Sequence, residues 1–317
     1  MLHEPTTSVG LMKWLGRLAA GLVIFMAFPA LAQLKDETPA ERDAQILTAL
    51  LPGTFSNGEQ VYFDTRLNLP TAERAPLLSA RFEIVALAAN GPRAIKLTQG
   101  TNVIFYILSL DRGPLTVRWG AYRPASGTPF ATGDAPALAS LTAAPQCDLL
   151  SRREAGQFRA VSIGACPTGP QELLVSERAI WWRPSQSAPS ARLNRARQFD
   201  CYVDMPGSGG IMGETFHRFS DLKVDDQGTE AWFTTLETTP RQLGLRLRAV
   251  DWPMNNKAGT YTRDSLTLYL IEAQANGPPK NITYAFTEPT VRRIGLNTIA
   301  ILANCYMDSP TTAKPEF

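Results

Sequence analysis

Most of this chain reads as short extended stretches of apolar residues, broken by polar turn residues. Phe82-Glu83-Ile84-Val85-Ala86-Leu87, Val103-Ile104-Phe105-Tyr106-Ile107-Leu108 and Leu115-Thr116-Val117-Arg118-Trp119 are rich in β-branched and aromatic side chains. Their borders are Asn90-Gly91-Pro92, Asp111-Arg112-Gly113-Pro114 and Ser126-Gly127-Thr128-Pro129, which are turn sequences. Leu173-Leu174-Val175 and Ala179-Ile180-Trp181-Trp182 continue the series. One segment has the helical period instead. Thr38-Pro39-Ala40-Glu41 is a capping box with proline at the first helical position, Ile46, Leu47, Leu50 and Leu51 share a face, and Pro52-Gly53 ends the run. The pattern predicts a mainly β protein: an antiparallel, calyx-like β-barrel with a short N-terminal helix, followed by a second β-rich region.

The break between the two regions is Pro184-Ser185-Gln186-Ser187-Ala188-Pro189-Ser190, polar and bounded by proline. Beyond it, strands are predicted at 230–234, 243–250, 265–271 and 298–302. The clearest alternates Leu243, Leu245, Leu247 and Ala249 inward with Arg246 and Arg248 outward. The implied division is a leader at 1–32, a barrel at 33–183, a linker at 184–196, a second β-rich domain at 197–310 and a tail at 311–317. Whether that second region is a domain of its own or extra strands on the first sheet stays open at this level.

The leader reading rests on Lys13 and Arg17 before an apolar run from Leu18 to Pro29, with Ala30-Leu31-Ala32 as a small-x-small cleavage site. The run is shorter than the ~20 apolar residues of a membrane span. A cleaved, exported product is expected, periplasmic or extracellular, with no transmembrane segment. Removal of the leader leaves 29 basic and 28 acidic side chains, which gives no electrostatic case for nucleic acid. Apolar residues make up 44% of the chain and charged residues 19%, enough to build a core.

Four cysteines, Cys147, Cys166, Cys201 and Cys305, read as disulfides in an exported protein. Three pairings exist; Cys147–Cys166 with Cys201–Cys305 is favoured because each then closes one region. No spacing is of the CxxC type, which counts against zinc and thioredoxin-like chemistry. Only His3 and His217 are present, so no multi-histidine metal site can form within one chain, and no metal is expected. His217, in Thr215-Phe216-His217-Arg218-Phe219, reads as a strand histidine. Pro206-Gly207-Ser208-Gly209-Gly210 lacks the Gly-Lys-Ser/Thr ending of a phosphate loop, and Asp225-Asp226-Gln227-Gly228 reads as a turn.

Two elements taken together suggest a family. Phe55-Ser56-Asn57-Gly58-Glu59-Gln60 follows the helix, and Cys147 and Cys166 enclose Leu149 to Ala160, with a turn at Ala155-Gly156. This arrangement resembles the CpcT/CpeT-type chromophore lyases, which attach bilins to phycobiliproteins from within a calyx-like barrel; the likeness runs from about Thr38 to Arg183. Lys96-Leu97-Thr98-Gln99 and Ala121-Tyr122-Arg123 match two further family segments in part. The resemblance implies a lyase that binds a tetrapyrrole and promotes its attachment to a cysteine on an acceptor protein, with no required cofactor. Asn57 and Gln60 carry over best, then Gln99 and Tyr122. From residue chemistry, Arg118 suits ligand carboxylates and Glu83 or Glu177 suit pyrrole N–H groups. Tyr106, with Tyr62, Phe63, Trp119, Trp181 and Trp182, offers flat apolar surface. The alternatives are a non-catalytic envelope protein that binds a lipid or other amphiphilic small molecule, or a structural module using exposed sheet edges.

Overall fold

The computed structural model describes residues 37–87, 91–111, 115–125, 136–206 and 216–307. The leader, the glycine-rich loop from Gly207 and the tail lie outside the described residues. Helix α1 (Pro39–Leu50) begins at the capping box: Glu41 N–H donates to Thr38 Oγ1 at 3.2 Å, and Thr38 N–H donates back to the Glu41 carboxylate at 2.8 Å. Leu47 and Leu51 are buried, whereas Ile46 lies at the exposed rim of the same face.

Strand β1 (Gly53–Ser56) follows, then helix α2 (Gly58–Arg66), and then β2 (Ser79–Ala86), β3 (Arg93–Gln99), β4 (Asn102–Leu110) and β5 (Val117–Pro124). The short β6 (Leu141–Ala143) pairs only with the end of β5. After it come β7 (Leu149–Glu154), β8 (Gln157–Ser162), β9 (Glu172–Val175), β10 (Ala179–Arg183) and β11 (Ala191–Ala196). Antiparallel pairing runs from β1 through β5, crosses to β7, and continues to β11, which returns to β1. Ten strands therefore close into a barrel, and closure removes exposed sheet edges. The stretch read as a linker supplies its last strand: Leu193 pairs with Ile180, and Arg195 with Phe55. Only 184–190 is a loop, because Leu193 is needed to complete the interior ring. At the β7–β8 hairpin Ala155 and Gly156 both adopt positive φ, 47° and 82°, the two-residue turn that matches strand twist.

Register decides what fills the barrel. Directly opposed residues share a face, so the rows Phe82–Leu97–Ile104, Ile84–Ile95–Tyr106–Ala121, Trp119–Leu149 and Leu173–Trp182–Ala191 all point inward. Nearly all of these side chains are buried and form one cluster with Leu47 of α1 and Leu51, the residue that caps its C-terminus. Helix α1 thus closes one end, held by an Arg153–Asp43 ion pair of 2.7 Å and by Arg195 donating to the Pro52 carbonyl at 2.6 Å. The Cys147–Cys166 disulfide sits at the other end. Beside it Arg123 donates to Thr168 and reaches both sulfurs at 3.5 and 3.8 Å.

The second region is a sandwich with a core of its own. One sheet contains β12 (Gln198–Pro206), β13 (Phe216–Asp225), β18 (Arg293–Asn297) and β19 (Leu302–Tyr306); the other contains β14 (Gln227–Thr234), β15 (Gln242–Asn256), β16 (Gly259–Glu272) and β17 (Lys280–Thr287). Phe199, Val203 and Leu296 of the first sheet meet Leu245, Leu247 and Leu268 of the second. Cys201 and Cys305 stand opposite each other on β12 and β19 and are bonded. The segment 298–302, expected as a strand, is mostly the turn before β19: Thr298 N–H donates to Ile301 C=O, and Ile301 N–H to Thr298 Oγ1. A threonine side chain satisfies that turn, and its apolar residues do not enter a sheet until Leu302.

Helix α2 joins the two regions. No helix is expected there from the sequence, and no residue of α2 is fully buried, so it carries no core stripe to announce it. Tyr62 and Phe63 pack edge-on against Trp252 of β15 at 5.9 and 6.0 Å, and Arg248 lies 4.4 Å over the Tyr62 ring. Glu59 bridges directly: one carboxylate oxygen accepts from Asn194 Nδ2 on the barrel, the other from Asp251 N–H on the sandwich. At Gly58 a Cβ would fall 2.3 Å from the Gln227 carbonyl oxygen, so only glycine permits this approach.

Candidate functional site

The residues singled out from sequence do not converge. Asn57 is fully buried and structural: its Nδ2 donates to Pro76 C=O at 2.8 Å, and its Oδ1 accepts from Leu78 N–H at 2.7 Å. Tyr106 lies inside the barrel against Trp119, 5.7 Å between ring centroids, with no hydrogen-bond partner for its hydroxyl among the described residues. Burial pushes its pKa well above the ordinary phenol value. Glu83, on the outer wall, pairs with Arg81 at 2.9 Å and with Lys96 at 3.6 Å. Gln99 ends β3 and Glu177 lies in the β9–β10 turn, where its carbonyl accepts from Arg195. Gln60 faces β11: its Oε1 accepts from Arg192 N–H at 2.8 Å.

Two of them do meet. Arg118 and Tyr122 line a cleft of about 380 Å³ on the outside of β4 and β5, together with Ile107, Ser109 and Asp148. Arg118 is already engaged there. Its Nε and Nη2 donate to Asp148 Oδ2 at 3.1 and 2.6 Å, while Asp148 Oδ1 accepts from Ala121 N–H. Only the Arg118 Nη1 edge, on a side chain 46% exposed, is left to meet a ligand carboxylate.

The aromatic residues divide by strand parity. Trp182 points inward and is 1% exposed; Trp181, its neighbour, points outward and is 44% exposed. Trp119 and Tyr106 join the interior, and Tyr62 and Phe63 belong to the α2 contact.

A strongly aromatic cavity lies elsewhere, on the outer face of the β14–β17 sheet. It measures about 350 Å³, within the usual size of small-molecule sites, ~300–1,000 Å³. Trp252, Met254 and Arg263 form one wall, and Tyr269, Tyr284 and Phe286 the other. Ser265 and Thr267 make the floor, with Trp252 Nε1 donating to Ser265 Oγ at 3.0 Å. The pleat explains the placement. Leu266, Leu268 and Leu270 of β16 face the sandwich core, so Ser265, Thr267 and Tyr269 must face out. Tyr284 pairs with Tyr269, and Phe286 with Thr267. The Tyr269, Tyr284 and Phe286 rings follow one another at 6.0 and 6.5 Å. Tyr284 and Phe286 are each 61% exposed. Arg263 lies 6.0 Å from the Phe286 ring and forms no salt bridge among the described residues. Burial pushes the Tyr269 phenol upward, so it stays a neutral donor at physiological pH.

Sequence reading missed this groove, although β17 held a signal. In Ile282-Thr283-Tyr284-Ala285-Phe286-Thr287 the core side carries the small Ala285, and the bulky rings occupy the opposite parity. Among the described residues, no group of three or more His, Cys, Asp or Glu is placed to hold a metal ion. No helix of the described residues is long and apolar enough to cross a membrane. No protein-family description, curated protein or solved structure matches the chain.

Proposed function

We propose that the protein is a non-catalytic binding protein for an anionic amphiphilic small molecule, held in the aromatic groove of the sandwich. The fold also contains a closed β-barrel, an architecture that in principle can hold such a ligand inside. Here the inward rings of Phe55, Phe82, Tyr106, Trp119 and Trp182 pack against one another and α1, which favours the outer groove over the interior. The single observation that carries the reading is the exposure of Tyr284 and Phe286 along a cavity beside an unpaired arginine. Two large rings each left 61% exposed side by side form an apolar surface larger than a scattered single residue. The walls suit rings or an acyl chain, and Arg263 suits a carboxylate or phosphate head.

The two disulfides support export to an oxidising compartment. A tetrapyrrole, planar and bearing two propionates, belongs to the proposed ligand class, so the chromophore resemblance remains one arm of the test. Attachment to an acceptor cysteine draws no support from the placement of Arg118, whose Nε and Nη2 are bonded to Asp148.

The test is a fluorescence and absorbance titration of the purified protein with oleate, biliverdin and haem. At least one should bind saturably, and Tyr284→Ala with Phe286→Ala should weaken it tenfold or more. Arg263→Gln should weaken oleate more than its uncharged alcohol. Saturable binding that survives the double substitution would refute the groove as the site, and binding of none of the three would refute the ligand class.

A further inference from the structure

A second polar site lies on the barrel wall, independent of the sandwich groove. Two cavities of about 300 Å³ each share one lining side chain, the indole of Trp181. Trp181 stands at the centre of an outward row set by register: Leu174 on β9, Trp181 on β10 and Arg192 on β11 lie side by side. To one side are Arg159, Glu172 and Arg183; to the other are Gln60, Arg192, Asn194 and Asp251.

The groups on the first side are fixed. Glu172 accepts from Arg159 Nε at 2.6 Å and from Arg183 Nη1 at 2.8 Å, which leaves the guanidinium edges to present further donors. On the second side Gln60 is held by Arg192 N–H, and Asn194 by Glu59. Asp251 adds an acceptor at the sandwich edge. A flat, half-exposed apolar ring with polar side chains lining the cavities on both sides of it is the arrangement that suits a pyranose: the sugar's C–H face stacks on the indole, and its hydroxyls meet donors and acceptors at the rim. Because the indole is shared, a ligand longer than one ring would span both cavities. An extended peptide is less well suited here, since the closed barrel offers no free strand edge for backbone pairing at this wall.

We infer that the Trp181 wall binds a linear oligosaccharide of at least two residues, one part on each side of the indole. The test is isothermal titration calorimetry of the purified protein with cellotetraose, chitotetraose and maltotetraose, set against glucose, N-acetylglucosamine and a proline decapeptide. At least one tetraose is expected to bind at least tenfold more tightly than its monosaccharide. Trp181→Ala should abolish that binding, Trp181→Phe should retain part of it, and Arg183→Ala should weaken it severalfold. Circular dichroism of each variant establishes that the fold is kept. The inference is overturned if no tetraose binds, if binding is unchanged in Trp181→Ala, if Tyr284→Ala removes it instead, or if the proline peptide alone binds. Loss of amphiphile binding in the Tyr284 and Phe286 variants, with tetraose binding retained, separates this site from the proposed groove.

Discussion

Trp181 and Trp182 are adjacent in sequence, yet they should respond to truncation very differently. A fully buried indole removes about 200 Å² from water. At roughly 25 cal/mol per Å² that is about 5 kcal/mol, trimmed to about 3–4.5 by residual burial in the unfolded chain. Trp182 is 1% exposed and walled in by the barrel interior, so Trp182→Ala also leaves a cavity. Against this, its Nε1 has no hydrogen-bond partner among the described residues, and losing an unpaired buried donor returns about 1–3 kcal/mol. The net expectation is about 3–5 kcal/mol of destabilisation, in line with other buried aromatic truncations. Trp181 keeps 44% of its surface in water, and solvent fills the notch it leaves, so Trp181→Ala should cost about 1.7–2.5 kcal/mol by the same area scale. Urea unfolding followed by circular dichroism reads the difference. At a slope of about 3 kcal/mol/M, a gap of about 2 kcal/mol separates the midpoints by roughly 0.7 M. Trp182→Phe, which keeps most of the area and deletes the orphaned N–H, should lie within about 1 kcal/mol of the parent protein. Equal losses at 181 and 182, or a loss under 1 kcal/mol for Trp182→Ala, would refute a filled barrel.

Tyr106→Phe deletes a buried hydroxyl that has no partner among the described residues, and the variant should be neutral or more stable by up to about 1–3 kcal/mol. The same residue sets an alkaline limit. Its folded pKa is raised above the unfolded value of about 10. Its contribution is therefore fully present below that pH and is lost as pH rises, because the unfolded chain ionises first. Urea midpoints at pH 8 and pH 11 should fall further for the parent than for Tyr106→Phe; an equal fall would contradict the assignment. The two disulfides close segments of different length, 19 residues for Cys147–Cys166 and 104 for Cys201–Cys305. On the chain-entropy scale these are worth about 3 and about 4.7 kcal/mol. Paired Cys→Ala substitution at 201 and 305 should lower stability more than the same change at 147 and 166, and the reverse order in chemical denaturation would count against that scale here.

The sequence made legible whatever local periodicity encodes. The capping box of α1, the Ala155-Gly156 hairpin turn and the Leu243–Ala249 alternation all stand as read, and both disulfides join the expected partners. Function was harder to read because a period of two says that neighbours diverge without saying which one faces the core. Trp181 and Trp182 entered the reading as equals, and only the pairing of Leu173 with Trp182 sends one inward. Strand β11 was hidden behind the prolines of 184–190, since a six-residue strand with three arginine or asparagine side chains looks like part of a polar loop. Helix α2 was hidden by the absence of a buried stripe. Asn57 is legible as a special residue, but its role comes from Pro76 and Leu78, about twenty positions away, and no local pattern reports that distance.

The central claim is that ligand sits on the sandwich face and not inside the barrel, and photolabelling locates it directly. The purified protein would be loaded with a diazirine-bearing fatty acid, irradiated and mapped by peptide mass spectrometry. The account expects label on peptides from 252–254, 261–269 and 282–287, with loss of that label in the Tyr284→Ala, Phe286→Ala protein. Label concentrated on the inward strands around Ile95, Tyr106, Trp119 or Leu173 would contradict it and return the ligand to the barrel.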